Sequence, residues 1–325
     1  MAGEDKQANI ETMASSSEAA QALPLEGPWV LLLLLVPFLV LVEMATAYFR
    51  GQFRWNHYKV PLLTLVTNLT LSRFISLSLA ILVASLVQPY ALLDTGRSWY
   101  WFLYGYLVWE FAHFVYHWSA HKVRLLWCLH STHHAPEHMN LSVSYSHFCL
   151  EESYADLIRI GICSLLGVDP FILVLVIGID AIWGSWIHVS EEFLPDGRNG
   201  FLEKYILTPS HHRLHHARNP EYIDTNFCNL LNVWDRLFGT YRELQPALPP
   251  DYGIKRPMTS THFFDAYFGE FGALAADIKR ATRWRDKLAY LVMPPHWKHD
   301  ETSDTLAPGI ANATPGPDTP LQTED

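Results

Sequence analysis

The chain has 325 residues, half of them hydrophobic, 17% charged and 12 of them Trp, a balance that excludes an ordinary soluble enzyme and reads as a membrane protein. Its formal charge of −10 sits wholly at the two ends, where residues 1–27 hold five acids against one Lys and residues 300–325 hold six acids and no Lys or Arg. The body between them is neutral and offers no nucleic-acid surface.

In chain order, residues 1–27 and 300–325 are expected to be disordered acidic tails around one catalytic domain over 28–299. No basic region precedes the first apolar run, so no secretory leader is expected. The first spanning candidate is Trp29–Phe49, with a kink at Pro37. Arg50, Arg54 and Lys59 follow and place the next residues in the cytoplasm by the positive-inside rule. A second span is expected over Phe74–Leu93 and a third over Trp99–Tyr116, after which Lys122 and Arg124 mark the cytoplasm again. The apolar region Leu157–Trp186 is interrupted by Gly167-Val168-Asp169-Pro170, a turn signal that predicts two short helices dipping in and returning. The expected fold is therefore all-α. It is a multi-pass integral-membrane helical bundle of about three spans plus a re-entrant or hairpin pair, capped by a cytoplasmic histidine-rich dimetal site. Cys128, Cys149, Cys163 and Cys228 form no C-x-x-C pair and read as reduced thiols.

Histidine placement carries the chemistry. His117 and His121 stand four apart, which puts two imidazoles on one helix face. His130, His133 and His134 form an H-x-x-H-H group, and His212, His215 and His216 repeat that spacing. His188, where the fourth apolar region emerges, can lean toward the same site. Imidazole is the commonest metal ligand, and nine of them exceed the four to six positions of one ion, so two metals follow. Spacing leaves open whether His113, His147 or His211 joins them. His138, His147, His262, His296 and His299 lack box spacing and read as surface or structural. Carboxylates are needed to hold the free ring N–H groups. Glu110, an acid within an aromatic helix, is the first candidate, followed by Glu151, Glu152, Glu191, Asp224 and Asp235.

At these residues the sequence resembles the fatty acid hydroxylase / sterol desaturase superfamily of membrane di-iron proteins, over about Trp109–Tyr241. The three boxes stand in order. The segment Thr208-Pro-Ser-His-His-Arg-Leu-His-His216, followed by Asn226 and Val233-Trp-Asp-Arg-Leu-Phe-Gly-Thr-Tyr241, is similar to a sterol-desaturase-like and alkylglycerol-monooxygenase-like branch. Where that branch has Asp, Tyr and Arg, this chain carries Glu110, His113 and Trp118. The resemblance implies two iron ions that use O2 to hydroxylate or desaturate a C–H bond of a sterol, acyl or ether lipid. No G-x-G-x-x-G follows a strand-like run, so electrons are expected from an external donor: a ferredoxin, a cytochrome b5-like protein or a reduced pterin.

Two rival readings use the same histidines. A zinc-dependent membrane hydrolase would be expected to carry H-E-x-x-H, which is absent from the sequence. A non-catalytic metal transporter or sensor would line a path through the bilayer with ionisable groups.

Overall fold

A computed structural model describes the backbone of residues 28–299, and their side chains except at 28–33, 70, 71 and 73. Both acidic ends lie outside the described residues. The chain divides into two compact units, one running to Phe53 and one beginning at Arg54. In the first unit, α1 spans Pro28–Phe49 and includes Pro37.

Among the described residues the regular elements of the second unit are all helices. Its long helix, α4 (Trp99–Lys122), ends with His121 and Lys122 in the last turn, where cations suit the helix dipole. Val123 takes extended angles and stops it, and α5 (Arg124–His134) begins at once. Ahead of α4 lie α2 (Trp55–Thr67) and α3 (Arg73–Val87). After α5 come α6 (Glu151–Leu165) and α7 (Pro170–Trp186). Helix α4 packs on α5, α6 and α7, and α3 packs on α6. Trp109, Ala112, Cys163, Ile172 and Val176 form the buried core between these helices. Two short helices, α8 (Pro209–His215) and α9 (Val233–Phe238), carry the last box and the W-D motif. Helices α10 (Phe263–Arg280) and α11 (Trp284–Val292) then cover α5. Among the described residues there is no sheet, only the isolated bridges Ile206–Leu231 and Ala217–Tyr252. All four cysteines are free, and three of them are buried.

The all-α expectation holds, but the membrane bundle does not. Among the described residues no helix is long and apolar enough to cross a membrane. This overturns the three spans, the membrane setting of the re-entrant or hairpin pair, and the multi-pass topology with a cytoplasmic cap, while the two short helices expected either side of Gly167–Pro170 do form, as α6 and α7. Two of the apolar runs, the one from Phe74 and the one over Leu157–Trp186, are longer than the helices they form. The run expected as one span from Phe74 yields α3, which stops at Val87 and gives way to a 3-10 turn at Gln88–Tyr90. Its 15 residues rise about 22 Å against a hydrocarbon core of about 30 Å. Helices α6 and α7 have 15 and 17 residues. Helix α4 has 24, but from its middle onward it carries Glu110, His113, His117, His121 and Lys122. In α1 the described side chains run from Leu34 to Phe49, with Glu43 among them.

Candidate metal centre

Three helices and one helix end bring nine imidazoles together. His117 and His121 come from α4, and His130, His133 and His134 from α5. His212, His215 and His216 lie on and just beyond α8, and His188 follows α7. They form two buried groups: His117, His121, His130, His134 and His215 in one, and His133, His188, His212 and His216 in the other. Each group offers ligand atoms that all lie within 4.8 Å of one another.

The boxes divide in a regular way. In each H-x-x-H-H box the first and last histidines share a group, and the middle one crosses to the other. His130 and His134 stand with the five while His133 joins the four. His212 and His216 stand with the four while His215 joins the five. A four-residue step returns to nearly the same helix face one turn on, whereas the three-residue step is offset to its side.

Ring nitrogens facing one another give a test of metal fit. The Nε2–Nε2 separations are 3.1 Å for His117–His130 and His130–His134, and 3.2 Å for His121–His134. In the second group they run from 2.8 Å for His188–His212 to 3.2 Å for His133–His188. Two nitrogens about 2.1 Å from one ion and at right angles to each other lie about 3.0 Å apart. Hydrogen bonding between the rings does not explain the approach of His117 to His130, because the outer nitrogens of both already have acceptors, as do those of His188 and His215, whereas Nδ1 of His133, His212 and His216 is buried without a partner. His117 Nδ1 donates to the Phe227 carbonyl at 2.8 Å, His215 Nδ1 to that of Thr225 at 2.8 Å, and His188 Nδ1 to that of Gly184 at 2.6 Å. His130 Nδ1 donates to Glu151 at 2.5 Å. Each of these rings therefore turns an Nε2 lone pair inward, and facing lone pairs repel unless a cation lies between them. The donor set fits two metal ions.

Burial favours the neutral imidazoles that a metal needs. It lowers His121 to about 4 and His188 to about 3, and holds His117, His133, His134, His212, His215 and His216 well below the usual histidine range. Glu151 and Asp224 are the carboxylates that meet this cage. Glu151 also accepts from Tyr116 Oη at 2.7 Å, and Asp224 lies 3.4 Å from His121 and pairs with Lys122.

Glu110 is placed otherwise. Its buried carboxylate accepts the backbone N–H groups of Asn229, Leu230 and Leu231 at 3.2, 2.8 and 3.1 Å. Burial, and then Asp180, push its pKa up to about 8. Asp235 of the W-D motif does a parallel job, accepting the N–H groups of Phe227 and Cys228 at 2.8 Å each. The two acids clamp the segment whose Phe227 carbonyl orients His117. Glu191 instead pairs with Tyr252, and Glu152 with Arg159.

Of the histidines left open, His211 lies outside both groups and bonds Tyr241 Oη at 2.9 Å. His113 faces Asp180 at 4.0 Å. His147 stacks on His133 with ring centres 4.4 Å apart and lies 3.0 Å from Glu151. Sequence reading had no means of finding the three orienting carbonyls, because any residue supplies one. A signal for the loop bearing Thr225 was present in Asp224-Thr225-Asn226. Asp224 and Asn226 both take positive φ, a region Asp and Asn enter more readily than most residues.

Fold and site together define a helical protein with paired, buried histidine groups built to coordinate metal ions. Residues 102–240 match the family described as fatty acid hydroxylase, and over them the chain resembles that superfamily. It is 30% identical over 205 residues to an alkylglycerol monooxygenase of Danio rerio, covering 63% of this chain and 44% of that protein. The alkylglycerol monooxygenase of Homo sapiens is 28% identical over 204 residues, covering 63% and 43%. Ornithine lipid hydroxylase OlsE of Rhizobium tropici is 27% identical over 188 residues, 55% of each chain. The chain thus spans less than half the length of the alkylglycerol monooxygenases it matches. No solved structure matches it.

Proposed function

We propose that the chain is an O2-dependent di-iron monooxygenase that hydroxylates a C–H bond of a lipid with electrons from an external donor. The observation that carries this reading is the pair of adjacent all-imidazole groups, with Nε2 lone pairs converging at metal-ligand spacing. His117, His121, His130, His134 and His215 would hold one iron, and His133, His188, His212 and His216 the other. Bound there, the two irons supply the O2 activation and oxidising power that an unactivated C–H bond requires. Five and four imidazoles would leave each ion able to take further ligands.

The chain's own residues fix the geometry. The carbonyls of Phe227, Thr225 and Gly184 lock three rings in the Nδ1–H tautomer, and Glu151 does so for His130. Glu110 and Asp235 act as positioning residues through the loop they clamp. The names of the relatives support a lipid substrate and hydroxylation as the outcome, with alkylglycerols the first class to try. The absence of a dinucleotide fingerprint supports an outside reductant such as a ferredoxin, a cytochrome b5-like protein or a reduced pterin.

The test is turnover of an alkylglycerol by iron-loaded protein under 18O2 with a reductant. The product should carry label from O2 and none from water. Ala at any of the nine histidines should abolish turnover, while His262→Ala leaves it near normal. Turnover without oxygen, or label from water alone, would sink the proposal in favour of hydrolysis.

A further inference from the structure

Beside the cage lies a cleft of about 430 Å3. Its inner wall includes His121, His134 and His215 of the five-histidine group, with the Trp127 ring 5.1 Å from that of His121. Helix α10, the start of α5, the loop after α8, the segment around Lys255 and the stretch after α11 make the rest.

The lining of this cleft carries more cations than carboxylates. Arg124, Arg218, Lys255, Arg256, Arg280 and Lys298 line it, against Asp224, Glu270 and Asp277, while from beyond the lining Asp251 and Glu137 hold Arg218 at 2.8 and 3.4 Å and Asp265 holds Arg256 at 2.8 Å. Those carboxylates are already shared. Asp277 serves Lys298 at 3.0 Å, Arg124 at 3.5 Å and Arg280 closer still. Glu270 is divided between Arg124 and Arg256, and Asp224 is taken by Lys122. Lys255 is exposed and has no carboxylate partner among the described residues. Neutral imidazoles do nothing to offset the charge of ions bound behind the inner wall, and a cleft lined by an excess of one sign concentrates the opposite sign. Trp127, Ile254 and Ala273 supply apolar surface between the charges. The volume falls within the about 300–1,000 Å3 of small-molecule sites, room for a head group and the carbons next to it.

We propose that this cleft binds the phosphorylated head group of an amphiphilic substrate, with Lys255 and Lys298 at its mouth and the adjoining carbons against the five-histidine group. This deepens the hydroxylase reading and rests on it. Phosphate oxygens accept from several ammonium and guanidinium groups at once, which a neutral head group cannot match.

Calorimetric titration of iron-loaded protein with hexyl phosphate, hexyl glucoside and inorganic phosphate tests it, for the native chain and a Lys255→Glu/Lys298→Glu variant. Hexyl phosphate should bind at least tenfold more tightly than either other probe and weaken as salt rises. The double variant should lose at least tenfold with iron content unchanged. If it misfolds, Lys255→Gln, on an exposed side chain, should show a smaller loss in the same direction. Equal binding of hexyl glucoside overturns head-group recognition, and equal binding of inorganic phosphate overturns the amphiphile. Unchanged affinity in folded variants puts the phosphate on the metals and overturns the site. Binding is read without turnover, so a protein that binds hexyl phosphate yet fails with O2 overturns the hydroxylase reading alone.

Discussion

Glu151 is 1% exposed and joins three groups: His130 at 2.5 Å, Tyr116 at 2.7 Å and His147 at 3.0 Å. Burial pulls His147 down, but the Glu151 carboxylate outweighs it and lifts the imidazole to about 9. Burial would raise Glu151, yet His147 and His130 hold it well below the usual carboxylate range. An anionic Glu151 therefore faces donors on every side. Glu151→Gln keeps the shape, removes the charge and can turn an amide N–H toward other donors. It should cost about 10- to 100-fold in iron retention or turnover, as lost supporting contacts to metal ligands commonly do. Dialysis against a graded chelator series reads this, and native retention would reject the role. Glu110→Gln should cost less than tenfold and lower the melting temperature instead, since its partners are backbone N–H groups. From sequence, Glu110 stood out because acids are rare in apolar helices, whereas Glu151 was one acid among several. What distinguishes them is tertiary: Glu151 enters from α6 at the level where α4 and α5 present their boxes.

At the scale of elements, the break between α6 and α7 was legible because it is local chemistry. Gly167 takes φ +74°, Pro170 opens α7, and Asp169 caps it by accepting the N–H of Phe171 at 2.8 Å. The turn is also tied to the chain before α4, since Thr95 Oγ1 donates to the Gly167 carbonyl at 2.6 Å. A Cβ at Gly167 would stand 1.9 Å from the Leu93 carbonyl oxygen. Gly167→Ala therefore combines a left-handed backbone with a clash against main chain, and should cost at least about 2 kcal/mol. Gly178→Ala, inside α7 with nothing within 4 Å, should be neutral or stabilising by up to about 1 kcal/mol. Thermal melts of the two variants check this, and equal effects would reject the geometry of the turn. Helix length was not legible, because hydropathy does not say where an apolar run stops being one helix. The stop at Val87 is set by Gln88-Pro89 and by the packing of the next segment, whose Leu92 N–H donates to the Leu165 carbonyl at 2.8 Å.

For the whole molecule, the cage makes folding and acidity one problem. Eight of the nine histidines are held below the ordinary histidine pKa, chiefly by burial. The unfolded chain takes up protons near pH 6.5, while the folded chain resists until lower pH. In that window the unfolded state binds more protons, so stability rises with pH and is lost as pH falls below about 6.5. Each such group contributes a slope approaching about 1.4 kcal/mol per pH unit, so eight together approach about 11 kcal/mol per unit. Domain stabilities are about 5–15 kcal/mol in total. Chelator-treated protein should therefore unfold within about one to two pH units below 6.5, more steeply than a single group titrates. Iron-loaded protein should hold to lower pH, because protons must also displace metal from the imidazoles. Helical circular dichroism and bound iron, followed together from pH 8 to pH 3, read both. A metal-free protein still folded at pH 4 would mean that the imidazoles protonate without opening the fold, and the buried cage would be wrong.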